Sequence, residues 1–252
     1  MKIKNRIKNY LLDTYCQISR KLVRDSHRRM MEFEWGKPPK WEGQKKLEFF
    51  NHHLDLYYCW LQSRNSLGWE RGVFSSLCLK GGATLDLCCG DGFYARNFYS
   101  LKSKTVDACD FEEEAINYAK SHNSFDNISY HLSDIRKNIP TGKYDNIIWD
   151  AAIEHFTLEE SHKILDCLKE RLLVDGILSG YTILEKPDGK QLTHHEHEFS
   201  SKDELLQLIS PFFKNTIVFE TIYPNRHNLY FWASDGVLPF QKQSRMFAMI
   251  EK

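Results

Sequence analysis

The sequence lacks several features that would assign a protein to a class at once. No stretch reaches the 18 consecutive apolar residues of a transmembrane helix, and the charged first residues lack the apolar segment of a secretory signal. The seven cysteines include no C-x-x-C pair, although Cys88 and Cys89 are adjacent. We therefore expect a cytoplasmic protein with reduced, buried thiols and without a zinc site.

A net charge is also absent. The chain of 252 residues has 34 basic and 34 acidic side chains, which gives a net charge of +0. Strong binding to nucleic acid is not expected, since it normally requires a basic excess. A hydrophobic content of 42% and a charged content of 27% are ordinary for a globular chain with one α/β domain and an added segment.

The charges that are present are unevenly distributed. Residues 1–30 contain nine basic and two acidic residues, a net charge of +7. Apolar residues at three- and four-residue steps predict an amphipathic helix here; they are Ile3, Ile7, Leu11, Tyr15, Ile18 and Leu22. Such a helix packs on its own domain, packs on a second subunit in a homodimer, or lies on the anionic inner face of a membrane. The sequence leaves these alternatives open.

Residues 1–80 are predicted to form a helical, aromatic-rich lid, residues 81–237 a second domain and residues 238–252 a tail. After residue 82, β-rich runs at 84–87, 105–109, 128–132, 146–149 and 177–184 alternate with helical patterns at 94–101, 113–121 and 158–173. This alternation predicts a parallel sheet with helices on both faces. A helix at 202–208 and two strands at 216–223 and 228–233 follow, and the short connection makes these strands antiparallel. The predicted fold class is therefore α/β, a Rossmann-like sheet of seven strands with a C-terminal antiparallel hairpin.

A glycine loop follows the first predicted strand. Gly90 and Gly92 allow the backbone to approach a ligand closely. Asp110 closes the second strand 20 residues after Gly90, a separation suited to a carboxylate that binds ribose hydroxyls. This much fits a dinucleotide and S-adenosylmethionine equally, because both contain an adenosine.

Three features favour the sulfonium cofactor over the dinucleotide. Asp86 lies inside the first strand, where its carboxylate would attract a cation and repel a pyrophosphate. Asp134 follows the third strand and can accept from an adenine amine, next to the backbone amide of Ile135. A parallel dinucleotide-binding sheet of six strands also lacks the C-terminal hairpin.

Over roughly residues 83–235 the sequence resembles the class I S-adenosylmethionine-dependent methyltransferases. The resemblance rests on DLCCGDG at 86–92, VDACDF at 106–111, SDI at 133–135 and YDNIIWD at 144–150. The family loop reads D-x-G-x-G-x-G, so Cys88 replaces its first glycine. The resemblance implies S-adenosylmethionine as the cofactor. It also implies that Asp110 holds the ribose and that Phe111 packs on the adenine. The full set of cofactor residues is Arg64, Asp86, Cys88, Cys89, Gly90, Gly92, Asp110, Phe111, Asp134, Ile135 and Asp150.

The acceptor is expected beyond the carboxyl ends of strands four and five. Candidate bases for a hydroxyl acceptor are His155, after strand four, and His195 and His197, within THHEHEF at 193–199. The same histidines could instead form a solvated loop or bind a divalent ion. No metal is predicted, since no spacing such as H-E-x-x-H is present.

The acceptor class is predicted mainly by exclusion. Strand four ends in Asp-Ala-Ala and not in Asp-Pro-Pro-Tyr, which disfavours methylation of an adenine or amide nitrogen. A weaker resemblance to bacterial methyltransferases of sugars, surface-glycan precursors and other small metabolites favours a hydroxyl of such a molecule. The alternatives are an RNA or protein methyltransferase, or a non-catalytic scaffold that binds the cofactor.

Overall fold

In a computed structural model of the chain, the described residues are 64–185, 194–223 and 226–240, with isolated residues and short stretches between 10 and 60. Most of the predicted lid, half of the basic helix and almost all of the tail lie outside them. The chain divides into two compact units, Met1–Asn65 and Ser66–Lys252. The unit with the sheet thus begins earlier than the predicted boundary at residue 81.

The first unit is described only in part. Its described residues between 10 and 29 are helical. The stripe residues Leu11, Tyr15, Ile18 and Leu22 are all exposed. Within the described residues of the chain, no helix is both long enough and apolar enough to cross a bilayer.

The second unit contains a seven-stranded sheet in the order β3-β2-β1-β4-β5-β7-β6. The strands are β1 Ala83–Leu87, β2 Thr105–Asp110, β3 Ile128–Leu132, β4 Tyr144–Asp150, β5 Leu172–Ile183, β6 Asn215–Tyr223 and β7 Arg226–Ser234. β7 is antiparallel to both of its neighbours, whereas β1 to β5 pair in parallel. The predicted fold class is confirmed.

Four helices surround the sheet: α1 Leu67–Leu77, α2 Glu113–His122, α3 Leu158–Arg171 and α4 Lys202–Ile209. α3 begins with a capping box, in which Thr157 Oγ1 accepts from the amide of Glu160 (3.2 Å) and the Glu160 carboxylate accepts from the amide of Thr157 (3.0 Å). At the start of α4, Ser201 Oγ accepts from the amide of Glu204 (3.2 Å), without the reciprocal bond of a capping box. These side chains satisfy amide groups that a helix N-terminus leaves without backbone partners.

Three of the differences from the predicted elements have a clear structural basis. β5 begins at Leu172, directly after α3, and a register irregularity between Tyr144 and Asn146 accommodates this early start. The helix expected at 94–101 is a short π-helical segment, Ala95–Tyr99, in which Ser100 donates to the Ala95 carbonyl (2.8 Å). β7 begins earlier than expected because the hairpin continues to pair as far as Tyr223 and Arg226.

Strand register places one set of polar side chains on a single face of the sheet. Asp86 of β1 lies beside Ile148 of β4, and Asp150 of β4 lies beside Tyr181 of β5. Because side chains two residues apart in a strand share a face, Asp86, Asp150 and Tyr181 lie on the same face. α1 covers this face near the hairpin, where Phe74 contacts Tyr230 edge to face at a centroid distance of 4.9 Å.

Candidate functional site

The glycine loop makes a tight turn at the carboxyl end of β1. Gly90 and Gly92 have φ values of +54° and +75°, and Cys88 also has a positive φ, of +54°. The Cys89 amide continues the ladder to β2 by donating to the Cys109 carbonyl (2.9 Å). Cys88 therefore adopts a left-handed backbone, at a cost of about 1–2 kcal/mol for a residue other than glycine.

Asp110 closes the loop against β2. Its Oδ2 accepts from the amide of Gly90 (2.9 Å) and its Oδ1 accepts from the amide of Glu112 (2.9 Å). The carboxylate is buried, whereas the neighbouring Phe111 is 67% exposed. An aromatic ring open to solvent beside a buried acid is the arrangement expected for an adenosine site, with the ring on the base and the acid on the ribose.

The two loop glycines differ in the space around them, which gives a first testable prediction. A Cβ at Gly92 would lie 2.4 Å from the Tyr130 hydroxyl, whereas a Cβ at Gly90 would meet nothing within 4 Å. Gly92→Ala should therefore lower the melting temperature more than Gly90→Ala, which adds only about 1 kcal/mol of backbone strain. Equal melting temperatures for the two variants in thermal unfolding would contradict this packing.

Asp86 is a buried acid with an unused hydrogen-bond acceptor. Its side chain is 3% exposed, and Oδ2 has no hydrogen-bond partner in the described structure. Burial raises the pKa of this carboxyl well above its usual range, the negative charges of Asp150 and Asp110 raise it further, and Arg71 opposes them. A cationic ligand would supply the missing partner and favour the ionised form. The residues present therefore fit a sulfonium or ammonium group.

Arg71 of α1 neutralises Asp150 at the end of β4. Its Nε and Nη2 lie 2.8 and 2.7 Å from Asp150 Oδ2, while Asp150 Oδ1 has no hydrogen-bond partner among the residues that the structure describes. The guanidinium also lies over the rings of Tyr94 (4.7 Å) and Tyr181 (5.3 Å). The two tyrosines lie far apart in the chain and are brought to Arg71 only through the packing of α1 on the sheet.

Arg64 belongs to the N-terminal unit. There its Nη1 donates to the carbonyl of Trp60 (3.1 Å). Its role in holding the cofactor remains a prediction.

The residues expected at the adenine edge follow β3. Asp134 accepts from Arg136 through Nε (2.9 Å) and Nη2 (3.0 Å), and the pKa of Asp134 is lowered chiefly by these hydrogen bonds. Ile135 packs its side chain into the core. Asp134 is thus ionised and already paired with Arg136. An adenine amine would share the Asp134 carboxylate with that guanidinium. The adenine-binding role of both residues stays a prediction.

A cluster of three ionisable side chains lies beyond β4 and β5. One ligand atom from each of Glu154, His155 and His195 lies within 4.8 Å of the other two. Nδ1 of His155 is hydrogen-bonded to the carbonyl of His194 (2.9 Å), and Nδ1 of His195 to Oε1 of Glu198 (2.5 Å). The structure thus brings together two of the three candidate bases.

The third candidate, His197, has a different environment. Its Nε2 lies 2.8 Å from Oε1 of Glu204, whose other oxygen accepts from the amide and hydroxyl of Ser200 (2.7 Å each). His197 thus contacts the start of α4. Its catalytic role remains a prediction, without support from these contacts. Glu198, which sequence reasoning did not select, is the acid that orients His195.

Comparison with known proteins identifies a domain family within the chain. The sequence model of the methyltransferase domain family matches residues 84–176, which include the glycine loop, Asp110, Asp134 and His155. This match agrees with the predicted resemblance to the class I methyltransferases, whose methyl donor is S-adenosylmethionine. No curated protein matches the chain.

Solved structures show the same fold at low sequence identity. A DhpI–SAH complex is 17% identical, covers 73% of this chain and 96% of its own, and has a TM-score of 0.55. The N-methyltransferase NodS from Bradyrhizobium japonicum WM9 is 14% identical over 69% of this chain and 98% of its own (TM-score 0.57). The plantazolicin methyltransferase BpumL with SAH is 16% identical over 65% of this chain and 80% of its own (TM-score 0.51). The methyltransferase domain and these proteins thus share an architecture.

Proposed function

We propose that the methyltransferase domain moves a methyl group from S-adenosylmethionine to a small-molecule acceptor, a hydroxyl of a sugar, a surface-glycan precursor or a related metabolite. The observation that carries the proposal is Asp86, a buried carboxyl with an unpartnered oxygen just before a glycine loop that Asp110 clamps. A dinucleotide would bring a pyrophosphate to this loop, and the acid would repel it. A sulfonium cofactor brings a positive charge instead.

S-adenosylmethionine supplies an electrophilic methyl group on a positively charged sulfur. The backbone of residues 88–92 would line its methionine portion, and Asp110 and Phe111 would hold the adenosine. The methyl-transfer barrier falls when the acceptor and the methyl group are aligned and water is excluded. Tyr94 and Tyr181, which contact Arg71 on the polar face, are suited to excluding water there.

The acceptor must give up a proton if the attacking atom is a hydroxyl oxygen. The group formed by Glu154, His155 and His195 lies beyond the carboxyl ends of β4 and β5, where acceptors bind in open α/β sheets. We assign the activation of the acceptor hydroxyl to this group. The zero net charge of the chain favours a small acceptor over RNA. Two of the structural neighbours are named for their activities, as an N-methyltransferase and as a plantazolicin methyltransferase.

Calorimetry with three ligands tests the cofactor. We expect S-adenosylmethionine and S-adenosylhomocysteine to bind, and NAD not to bind at comparable concentration. Tight binding of NAD without binding of S-adenosylmethionine or S-adenosylhomocysteine would contradict the proposal. Turnover with a panel of hydroxyl-bearing sugars and nucleotide sugars then tests the acceptor, and cofactor binding without turnover on any acceptor class would favour a scaffold.

The basic segment gives a separate prediction about localisation. Residues 1–30, with a net charge of +7, are expected to bind vesicles that contain anionic lipid and to release them as salt rises. A vesicle-sedimentation assay at low and high salt, with a variant that lacks residues 1–30 as the control, measures this. Binding that is absent, or unchanged by salt, would exclude a peripheral membrane role for the segment.

A further inference from the structure

We infer that Glu154, His155 and His195 form a binding site for one divalent transition-metal ion, such as Mn²⁺ or Zn²⁺. Two imidazoles and one carboxylate are a common ligand set for such ions when coordination positions remain open for a substrate. One ligand atom of each residue lies within 4.8 Å of the other two, which places the three side chains around one point. What the ion does for the acceptor rests on the proposed function; the site itself does not.

Both imidazoles are oriented as metal ligands are. A ligating histidine usually donates its second ring N–H to a carbonyl or a carboxylate, which sets the tautomer and the ring direction. Nδ1 of His155 faces the His194 carbonyl, and Nδ1 of His195 faces the carboxylate of Glu198. Nε2 is therefore the nitrogen that each ring offers to an ion. The two rings meet edge to face at a centroid distance of 4.9 Å.

The carboxylate is supported as firmly as the rings. Oε2 of Glu154 accepts from the Thr182 hydroxyl (2.9 Å), which comes from β5. The carbonyl of Glu154 accepts from the amides of Glu196 (2.9 Å) and His197 (3.1 Å), which fastens the loop with His195 to the turn after β4. Preorganisation of this kind favours a metal site over a solvated loop, because ligands need little ordering on binding.

The charges in the cluster also favour a cation. Glu154 and Glu198 are 4% and 5% exposed, so two acids lie buried beside two imidazoles that are neutral when they act as ligands. Burial of a carboxylate charge is unfavourable, and a divalent ion would offset the charge of Glu154. His155 is exposed, which leaves a path for the ion and an open side for an acceptor oxygen.

A divalent ion at this position would act on the acceptor hydroxyl. A metal ion lowers the pKa of an oxygen bound to it, and the released proton passes to solvent water. The ion would thus promote the deprotonation of the acceptor hydroxyl, for which the sequence suggested a histidine base. The two roles exclude each other for His195, since Nε2 cannot bind an ion and accept a proton at the same time.

Metal binding tests the inference without any assay of activity. The full chain, stripped with a chelator and dialysed, is titrated with Mn²⁺ and with Zn²⁺ by calorimetry, and the metal content is measured after gel filtration. We expect one ion per chain. His155→Ala, His195→Ala and Glu154→Gln should each weaken binding by at least tenfold. His155 is exposed, so its variant should fold even if the Glu154 variant does not, and circular dichroism checks this.

His197→Ala is the matched control, because it removes an imidazole that contacts Glu204 and not the cluster, and it leaves the backbone amide that donates to the Glu154 carbonyl in place. This variant should retain the ion. No binding of either ion to the full chain, or equal binding in the His155 and His197 variants, would overturn the inference. Calorimetry with S-adenosylhomocysteine on the metal-free chain separates the two proposals. If this ligand binds but no metal ion does, the proposed function stands and the metal site is refuted. If a metal ion binds but S-adenosylhomocysteine does not, only the proposed function is refuted.

Discussion

Replacement of Asp110 by Ala is expected to weaken the binding of S-adenosylhomocysteine by about a hundredfold. The carboxylate accepts from the amides of Gly90 and Glu112, so its removal unclamps the loop and also removes the group assigned to the ribose. Hydrogen bonds to a charged group contribute about 1.5–3 kcal/mol each, and a hundredfold loss corresponds to about 2.7 kcal/mol. Calorimetry measures the affinity directly.

Two further variants sharpen this prediction. Asp110→Asn retains one carbonyl oxygen and should lose affinity by about tenfold, less than the Ala variant. Asp107→Ala is the matched control in the same strand, because Asp107 contacts His131 (2.8 Å) and Tyr144 (3.1 Å) and is not part of the loop. If Asp110→Ala binds as tightly as the unaltered protein, the acid holds only the loop and the ribose assignment is wrong.

Replacement of Arg71 by Met is expected to destabilise the domain by about 3 kcal/mol. Removal of one partner of a buried ion pair leaves the other charge uncompensated, which costs about 3–5 kcal/mol. Asp150 would be that charge, with a side chain that is 5% exposed, and Asp86 would lose the cation that opposes its raised pKa. Urea denaturation measures the loss, and the double variant Arg71→Met/Asp150→Asn should recover part of it.

The loss should also depend on pH in a defined direction. The pKa of Asp86 is already raised in the folded protein, and loss of Arg71 removes the charge that opposes this shift, so the folded variant binds a proton that the unfolded chain releases. Stability of the variant therefore falls as pH increases through that raised pKa, and the gap to the unaltered protein is larger at pH 8 than at pH 5. A gap that is the same at both values would show that Arg71 acts through packing alone.

The sequence determined the fold class and predicted the cofactor half of the site. Strand–helix alternation predicted the parallel sheet and the hairpin, because hydrophobic periodicity and turn residues are local properties. The same is true of Gly90, Gly92 and Asp110, whose roles follow from their place at the ends of neighbouring strands, where topology alone brings them together. Asp86 was selected by another local signal, because it is an acid within a largely apolar strand.

Only the tertiary structure decided which acids and histidines lie next to one another. His155 and His195 are 40 positions apart in the chain and meet because the turn after β4 and the loop after β5 share hydrogen bonds, whereas His197, two residues further on, turns to the start of α4. Arg71 likewise reaches Asp150 only because α1 packs over the sheet. Side-chain direction across such distances depends on packing and hydrogen bonds between elements, which no local pattern records.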